Sequence, residues 1–425
     1  MPLRSVASAL LLILLLPLAG VSTGPISVAA GRVDITAPVR YPMGGYSARK
    51  GSSEGTHDPL LAKVLLIKTG NLQVGIITYD LLSFNSERVA REAKQKLGFT
   101  QVLQIASHTH SGPVAKDSGA PSADSWVHGV EDKALAALKE AQTRYVPARL
   151  SVGQGVALLC HNRRRVNADG TVTMLWRNAE RIPTSPVDPR VGVIRFSDAS
   201  GKPLAVLVNY ACHAVVLGAD NLQYSADWPG FMYHYVEKQL GNGALVYFLP
   251  GASGDINPYN AEQPSSEDAF GVAQKMGESL GQTVLAVLKR MPPGNDTPEI
   301  EIAQETYTFK ERFDPTKELA VQVTRMLLDK NTGILAVPGE MFVSHAIRLQ
   351  DRVPLPRTFL VSNAYGGQGQ LAAYIPTISA AMEGGYGANY ATRIEVGAGE
   401  WIVTRSVVWF YERLGRLDNA PDLSR

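Results

Sequence analysis

Cysteine is nearly missing from this chain: two residues, Cys160 and Cys212, in a length of 425. That scarcity excludes a disulfide-stapled scaffold and assigns the stability of the protein to a buried core. Whether the two cysteines pair is open from the sequence. An excess of charge of one sign is lacking too. Lys and Arg number 41 against 39 Asp and Glu, a net charge of +2, and no long run of either sign occurs, so there is no electrostatic footprint for nucleic acid. Internal repeats and low-complexity tracts are absent, which excludes a solenoid. The one long apolar run, at the N-terminus, is too short for a comfortable membrane span.

What is present is the composition of a folded enzyme-sized chain, 45% hydrophobic and 19% charged, enough for one large or two ordinary domains. The N-terminus "MPLRSVASALLLILLLPLAGVSTG" has Arg4, an apolar stretch and then small residues. This is the pattern of a secretory signal over residues 1–24, cleaved between Ala19 and Ala30, and it predicts a secreted or periplasmic soluble protein. An uncleaved anchor is the alternative.

Beyond it, strands and helices alternate. "KVLLIKTGNLQVGIITYDLLSF" predicts a hairpin turning at Gly70-Asn71. "SERVAREAKQKLG" predicts a helix capped by Ser86 and stopped at Gly98, and "QVLQIAS" returns as a strand. "PLAVLVNYAC", "WPGFMYHYVEKQLG" and "ALVYFLPG" repeat the strand-helix-strand cadence. "EDAFGVAQKMGESLGQTVLAVLKR" is a long amphipathic helix; "TPEIEIAQETYTFKERF", "TGILAVPGE" and "RTFLVSNAYGG" read as strands. The fold class expected is α/β, or mixed α+β, built as layers of sheet and helix, with the loop at 292–300 as a divider of subdomains within one catalytic body.

The chemistry collects where strands end. "QIASHTHSGP" places His108 and His110 two apart, so in extended chain both imidazoles share a face. His213 follows the strand "LAVLVNYAC", "PGASGDINPYN" follows "ALVYFL", and Glu340 follows "ILAVPG". Four apolar runs deliver polar or glycine-rich residues at the same end, the usual position of ligands in α/β sheets. This favours a metal site over a pair of solvated histidines. His57, His128, His161, His234 and His345 are single and read as surface or core. Asp227 reads as the cap of the helix that follows it, and Phe231, Tyr233 and Tyr235 read as packing. "PMGGYSARKG" supplies Gly44 and Gly45, which permit close backbone approach.

The blocks "SHTHSGP", "NYACHAVVLG", "SADWPG", "GASGDINP", "VPGEMF" and "AAYIPT", in this order, resemble the catalytic domain of the neutral/alkaline non-lysosomal ceramidases. The likeness covers roughly residues 30–415. It implies a zinc hydrolase fold of that type, Zn²⁺ held by His108, His213, Glu340 and Tyr374, and His110 beside the reacting carbonyl rather than on the metal. Arg163 in "CHNRRRV" and Tyr386 map to groups that stabilise the developing oxyanion. The implied reaction is cleavage of an amide bond of an N-acyl sphingolipid-like substrate by zinc-activated water, with peripheral contact at a membrane surface. The immunoglobulin-like C-terminal domain of longer ceramidases is expected to be missing, and the oligomeric state is open.

One position departs. The family carries a serine two residues after Gly-Asp, needed for activity, where this chain has Asn257. Attack by water leaves Asn257 to orient substrate or donate to the oxyanion; an obligatory serine nucleophile would make the chain inert. The rival readings are a metal hydrolase of other amides or esters, and a ceramidase-like binding protein without turnover. A metallo-β-lactamase pattern fails because Gly112 and Pro113 stand where Asp and His are required. An amidohydrolase barrel fails for want of further histidines at strand ends.

Overall fold

The computed structural model describes residues 18–241 and 243–417; the expected signal lies outside these up to residue 17. Its frame is a nine-stranded mixed sheet. In spatial order the strands are Leu245–Pro250, Pro203–Tyr210, Arg190–Ser197, Val146–Val156, Ile26–Asp34, Leu61–Thr69, Leu72–Tyr79, Gln101–Ala106 and Ala364–Tyr365. Two neighbouring pairs are parallel, Leu72–Tyr79 with Gln101–Ala106 and Pro203–Tyr210 with Leu245–Pro250. Each pair is crossed over by a helix, Glu87–Leu97 or Asp227–Leu240, as the sequence cadence predicts.

Period-two alternation decides which layer each side chain enters. Along Leu61–Thr69, Val64 and Leu66 join a core shared with the helices, whereas Leu65 and Ile67 join a second core on the opposite face. That second face packs on a five-stranded sheet, ordered Leu18–Ser22, Ile300–Lys310, Glu318–Leu328, Thr332–Ala336, Arg357–Val361. Ile302, Met326 and Phe359 from it share the core with Leu65, Leu103 and Leu207. Helices Val343–Arg352 and Ala398–Arg413 cover its outer face through Leu349, Ile402 and Phe410. The result is four layers, helix, sheet, sheet, helix. The loop at 292–300 therefore leads from the long helix Ala269–Arg290 into the second sheet, and the two sheets share one core across it.

Local signals explain the crossover helices. Ser86 Oγ accepts from Val89 N at 3.0 Å and Gly98 closes the C-terminus at φ 73°, a left-handed conformation that favours glycine. Asp227 departs from the expected cap. It is fully buried at φ 56° and its carboxylate accepts from the backbone N–H of Val216 (3.3 Å), Leu217 (3.0 Å) and Trp228 (2.6 Å). The residue preceding the helix is Ala226, whose N–H is taken by Asp58 at 2.8 Å. Asp227 thus pins the loop after His213, and the reason it is buried is that those two loop N–H groups have no strand partner.

The nine-stranded sheet curls until its two ends meet. Ser362 N donates to Pro250 O at 2.8 Å at one end and Ala106 N to Asn363 O at 3.1 Å at the other. A lone parallel bridge, Thr109 to Ala214, joins the loops that leave the two parallel pairs. This closure places the His108 and His213 loops side by side. Among the described residues no helix is long and apolar enough to cross a membrane.

Candidate metal centre

His108 leaves the Gln101–Ala106 strand at φ 65°. Its backbone N–H reaches Leu81 O (3.0 Å) and its Nδ1 reaches Leu82 O (2.8 Å). His213 is set the same way from the other side, with Nδ1 at 2.6 Å from Ser253 O and 3.2 Å from Ile256 O. In both rings a carbonyl takes the Nδ1 proton, so each presents a bare Nε2 lone pair. Glu340 and Tyr374 arrive together because the two-residue strands Glu340–Met341 and Tyr374–Ile375 pair in parallel, Glu340 opposite Tyr374.

The four donor atoms converge. Glu340 Oε2 lies 3.1 Å from His213 Nε2 and 3.2 Å from His108 Nε2, and Tyr374 Oη lies 3.5 Å from His213 Nε2. Donors about 2.0–2.1 Å from a tetrahedral zinc stand roughly 3.3 Å apart, so the spacing fits. His108 Nε2 has no hydrogen-bond partner although the carboxylate is at contact distance: the two atoms aim at a common point rather than at each other. A buried nitrogen in that condition is costly unless a cation completes it.

Charge is arranged to suit. Burial pushes the Glu340 carboxyl up, but His108 and His213 hold it well below the carboxylate range. Burial, then Arg163, lowers His213 to about 4. Burial and the neighbouring histidines press His110 well down; burial also pulls His108 down, but the charge and hydrogen bond of Glu340 together with the Leu82 carbonyl leave it raised. Burial and Glu340 hold the Tyr374 phenol well above its ordinary value, with Arg163 pulling the other way.

His110 stands beside this set. Its ring centroid is 5.0 Å from that of His108 and 5.7 Å from that of His213, and one nitrogen from each of the three lies within 4.8 Å of the others. Both His110 nitrogens lack a partner. The ring is held from behind by the 44–49 loop: a Cβ on Gly45, at φ 101°, would meet the His110 ring at 2.6 Å. Tyr46 stands edge-on at 4.9 Å, donating its hydroxyl to Leu217 O, and Arg49 Nη2 donates to His110 O at 2.8 Å.

Arg163 and Asn257 come together through antiparallel pairing of Cys160–Asn162 with Ile256–Pro258. Arg163 is buried, donating to Asn257 Oδ1 (3.3 Å) and Gly254 O (2.6 Å), with Nε unpartnered. Its guanidinium carbon lies 5.2, 5.5 and 5.3 Å from the rings of Trp176, Tyr374 and Tyr386. Asn257 Nδ2 donates to Trp176 O at 2.8 Å. Cys160 and Cys212 form a disulfide, which ties the strand before Arg163 to the residue before His213.

All eight residues expected at the site are therefore neighbours. Those missed by sequence reading are Trp176, Tyr46, Arg49 and Asp255. Asp255, between Gly254 and Ile256, accepts from Val343 N (2.7 Å) and Asn162 Nδ2 (2.8 Å), bracing the loop against both arms of the site. His57 stacks on Phe270, and His345 is buried under the Ala398–Arg413 helix against Gly399, so neither belongs to the centre.

No family model matches the chain. It is 23% identical over 262 residues to neutral ceramidase of Pseudomonas aeruginosa, and 25% identical over 271 residues to neutral ceramidase A of Dictyostelium discoideum, each match covering 57% of this chain. The matches cover 38% and 37% of those proteins, so less than two thirds of each relative's length is represented. The crystal structure of the Pseudomonas aeruginosa neutral ceramidase superposes with a TM-score of 0.71 over 94% of this chain and 77% of that one, at 16% identity. The fold is that of the neutral ceramidases. A second solved structure, a ceramidase complexed with C2, gives a TM-score of 0.72 over 94% of this chain and 78% of the other, again at 16% identity. The expectation of a ceramidase-like sequence and a mixed α/β fold is met by both kinds of comparison.

Proposed function

We propose that the chain is an exported zinc-dependent hydrolase that cleaves the amide bond of an N-acyl lipid of the ceramide kind. The observation that carries the proposal is the convergence of His108 Nε2, His213 Nε2, Glu340 Oε2 and Tyr374 Oη on one point, with buried, unpartnered nitrogen at His108. Bound there, zinc supplies a Lewis acid and lowers the pKa of a water molecule towards about 7.

The chain's own residues do the rest. The carbonyl oxygens of Leu82, Ser253 and Ile256 fix the tautomers of His108 and His213. His110, neutral and with both nitrogens free, takes a proton from the attacking water and passes it to the leaving amine. Arg163 and Tyr386 donate to the carbonyl oxygen as negative charge develops on it. Asn257 holds Arg163 and the Trp176 backbone in place and accepts no acyl group, since an amide is a poor nucleophile. The proposed catalytic unit is residues 30–415, exported after removal of the leader, and its lipid substrate would bring it to a membrane surface peripherally.

A second reading is a binding protein without turnover, favoured by Asn257 at the family serine position. Metal analysis followed by hydrolysis assays with and without a chelator, across N-acyl sphingoid bases, N-acyl amino acids and simple esters, separates the two. Chelator-sensitive hydrolysis of N-acyl lipids supports the proposal; a zinc-loaded protein inert on all three classes supports the second reading.

A further inference from the structure

The rings that surround Arg163 do not stop at the site. Trp176 stands edge-on to Tyr386 at 5.2 Å, and Tyr386 edge-on to Tyr390 at 5.5 Å. Exposure climbs along the line, from Tyr374 at 5% to Tyr390 at 53%. The short helix Ile378–Glu383, whose Ala380 packs with Tyr374 and Tyr386, leaves Ile378 48% and Met382 83% exposed. Trp176 and Tyr390 belong to none of the buried cores, so packing alone does not account for a run of rings that begins at the catalytic arginine and ends in solvent. Contiguous exposed apolar surface continuous with a site is where an apolar part of a ligand is held.

We infer that this aromatic run seats an alkyl chain of the substrate, and that Trp176 and Tyr390 set a preference for long-chain over short-chain amides. The inference rests on the proposed amide-hydrolase reading. With the amide carbon near His110 and Arg163, a short acyl group ends at Tyr386, whereas a long chain lies across Trp176 and Tyr386 and reaches Tyr390. Edge-to-face rings offer flat apolar surface and little conformational entropy to lose, which suits a flexible hydrocarbon. The chain can belong to the acyl group or to the amine.

The test compares kcat/KM of the wild type, Trp176→Ala and Tyr390→Ala on amides in two arms: acetyl against dodecanoyl on one short amine, and a short against a dodecyl amine under one acetyl group. Tyr390→Ala is the cleaner variant, since its side chain is half exposed and not in contact with Arg163. In one arm the long-chain substrate should lose about tenfold through KM, with the short-chain substrate changed less than twofold in Tyr390→Ala. Equal losses on short and long substrates in both arms, or no loss, overturn the inference. Binding of an uncleaved dodecyl sulfonamide, measured by calorimetry, keeps the test independent of turnover. If the wild type cleaves no amide, the proposed function fails. The seat still stands if the sulfonamide binds and weakens about tenfold in both variants, and falls if it does not.

Discussion

Asn257 and Arg163 are joined side chain to side chain, Arg163 Nη1 donating to Asn257 Oδ1 at 3.3 Å, while Asn257 Nδ2 is spent on Trp176 O. Both ends of this buried amide are thus engaged with the protein. On the proposed reading its role is to hold the arginine, and attack falls to water because an amide side chain is a poor nucleophile.

Ser253 lies in the same loop, and its carbonyl, not its side chain, orients His213. Ser253→Ala should therefore keep substantial activity and form no acyl adduct, whereas His110→Ala or Tyr386→Phe should lose roughly 10²-fold or more. Mass spectrometry after substrate mixing checks this; an acyl group trapped on Ser253 would overturn attack by water.

Gly45 tests the support behind His110. A Cβ there meets the ring at 2.6 Å and the backbone is at φ 101°, so Gly45→Ala must displace the imidazole. The expected outcome is a fall in kcat of about 10²-fold, as for loss of a proton-transfer group, with zinc content unchanged. Loss of metal instead would place His110 among the ligands.

The leader can be checked against the sheet. Ile26–Asp34 pairs with Leu61–Thr69 along its whole length, Ile26 opposite Thr69, so removal of residues beyond 25 would cut a central strand, whereas removal up to 25 takes only the edge strand Leu18–Ser22 from the second sheet. N-terminal sequencing of the exported protein should give a start from 20 to 26; an intact Met1 would contradict processing.

A buried charge network under the Asp227–Leu240 helix gives a pH signature. Burial raises Asp80 to about 6 although Lys63 and the Tyr233 hydroxyl favour its anion. The unfolded chain ionises this carboxyl near the ordinary value and the folded protein only near 6, so between these pH values the unfolded state binds fewer protons and stability falls as pH rises. Across pH 4 to 6.5 the wild type should lose about 2 kcal/mol relative to Asp80→Asn, read from urea unfolding. A constant difference would refute the assignment.

The sequence displayed the frame well because its strands alternate and its helices carry caps: Ser86, Gly98 and Gly241 stand where the elements begin and end. Residue types at strand ends pointed to His108, His110, His213, Glu340 and the loop that carries Asn257; Tyr374, Arg163 and Tyr386 came only with the resemblance to the ceramidases. Trp176 was not legible, since it lies in irregular chain and meets Arg163, Tyr386 and Asn257 only through long-range contacts. Asp227 looked like a cap because a helix does follow it, but its loop partners are the amides of Val216 and Leu217, eleven and ten residues back, which no local pattern reveals. The packing of two sheets on one core was hidden for a similar reason: period two says that both faces of a strand are apolar, not what covers the second.

The central claim is that four side chains hold one zinc. The direct measurement is metal content by mass spectrometry of the purified wild type and of His213→Ala, with circular dichroism to show that the variant is folded. The account predicts one zinc per wild-type chain and loss of most of it in the variant. A folded His213→Ala protein with full zinc occupancy would contradict it.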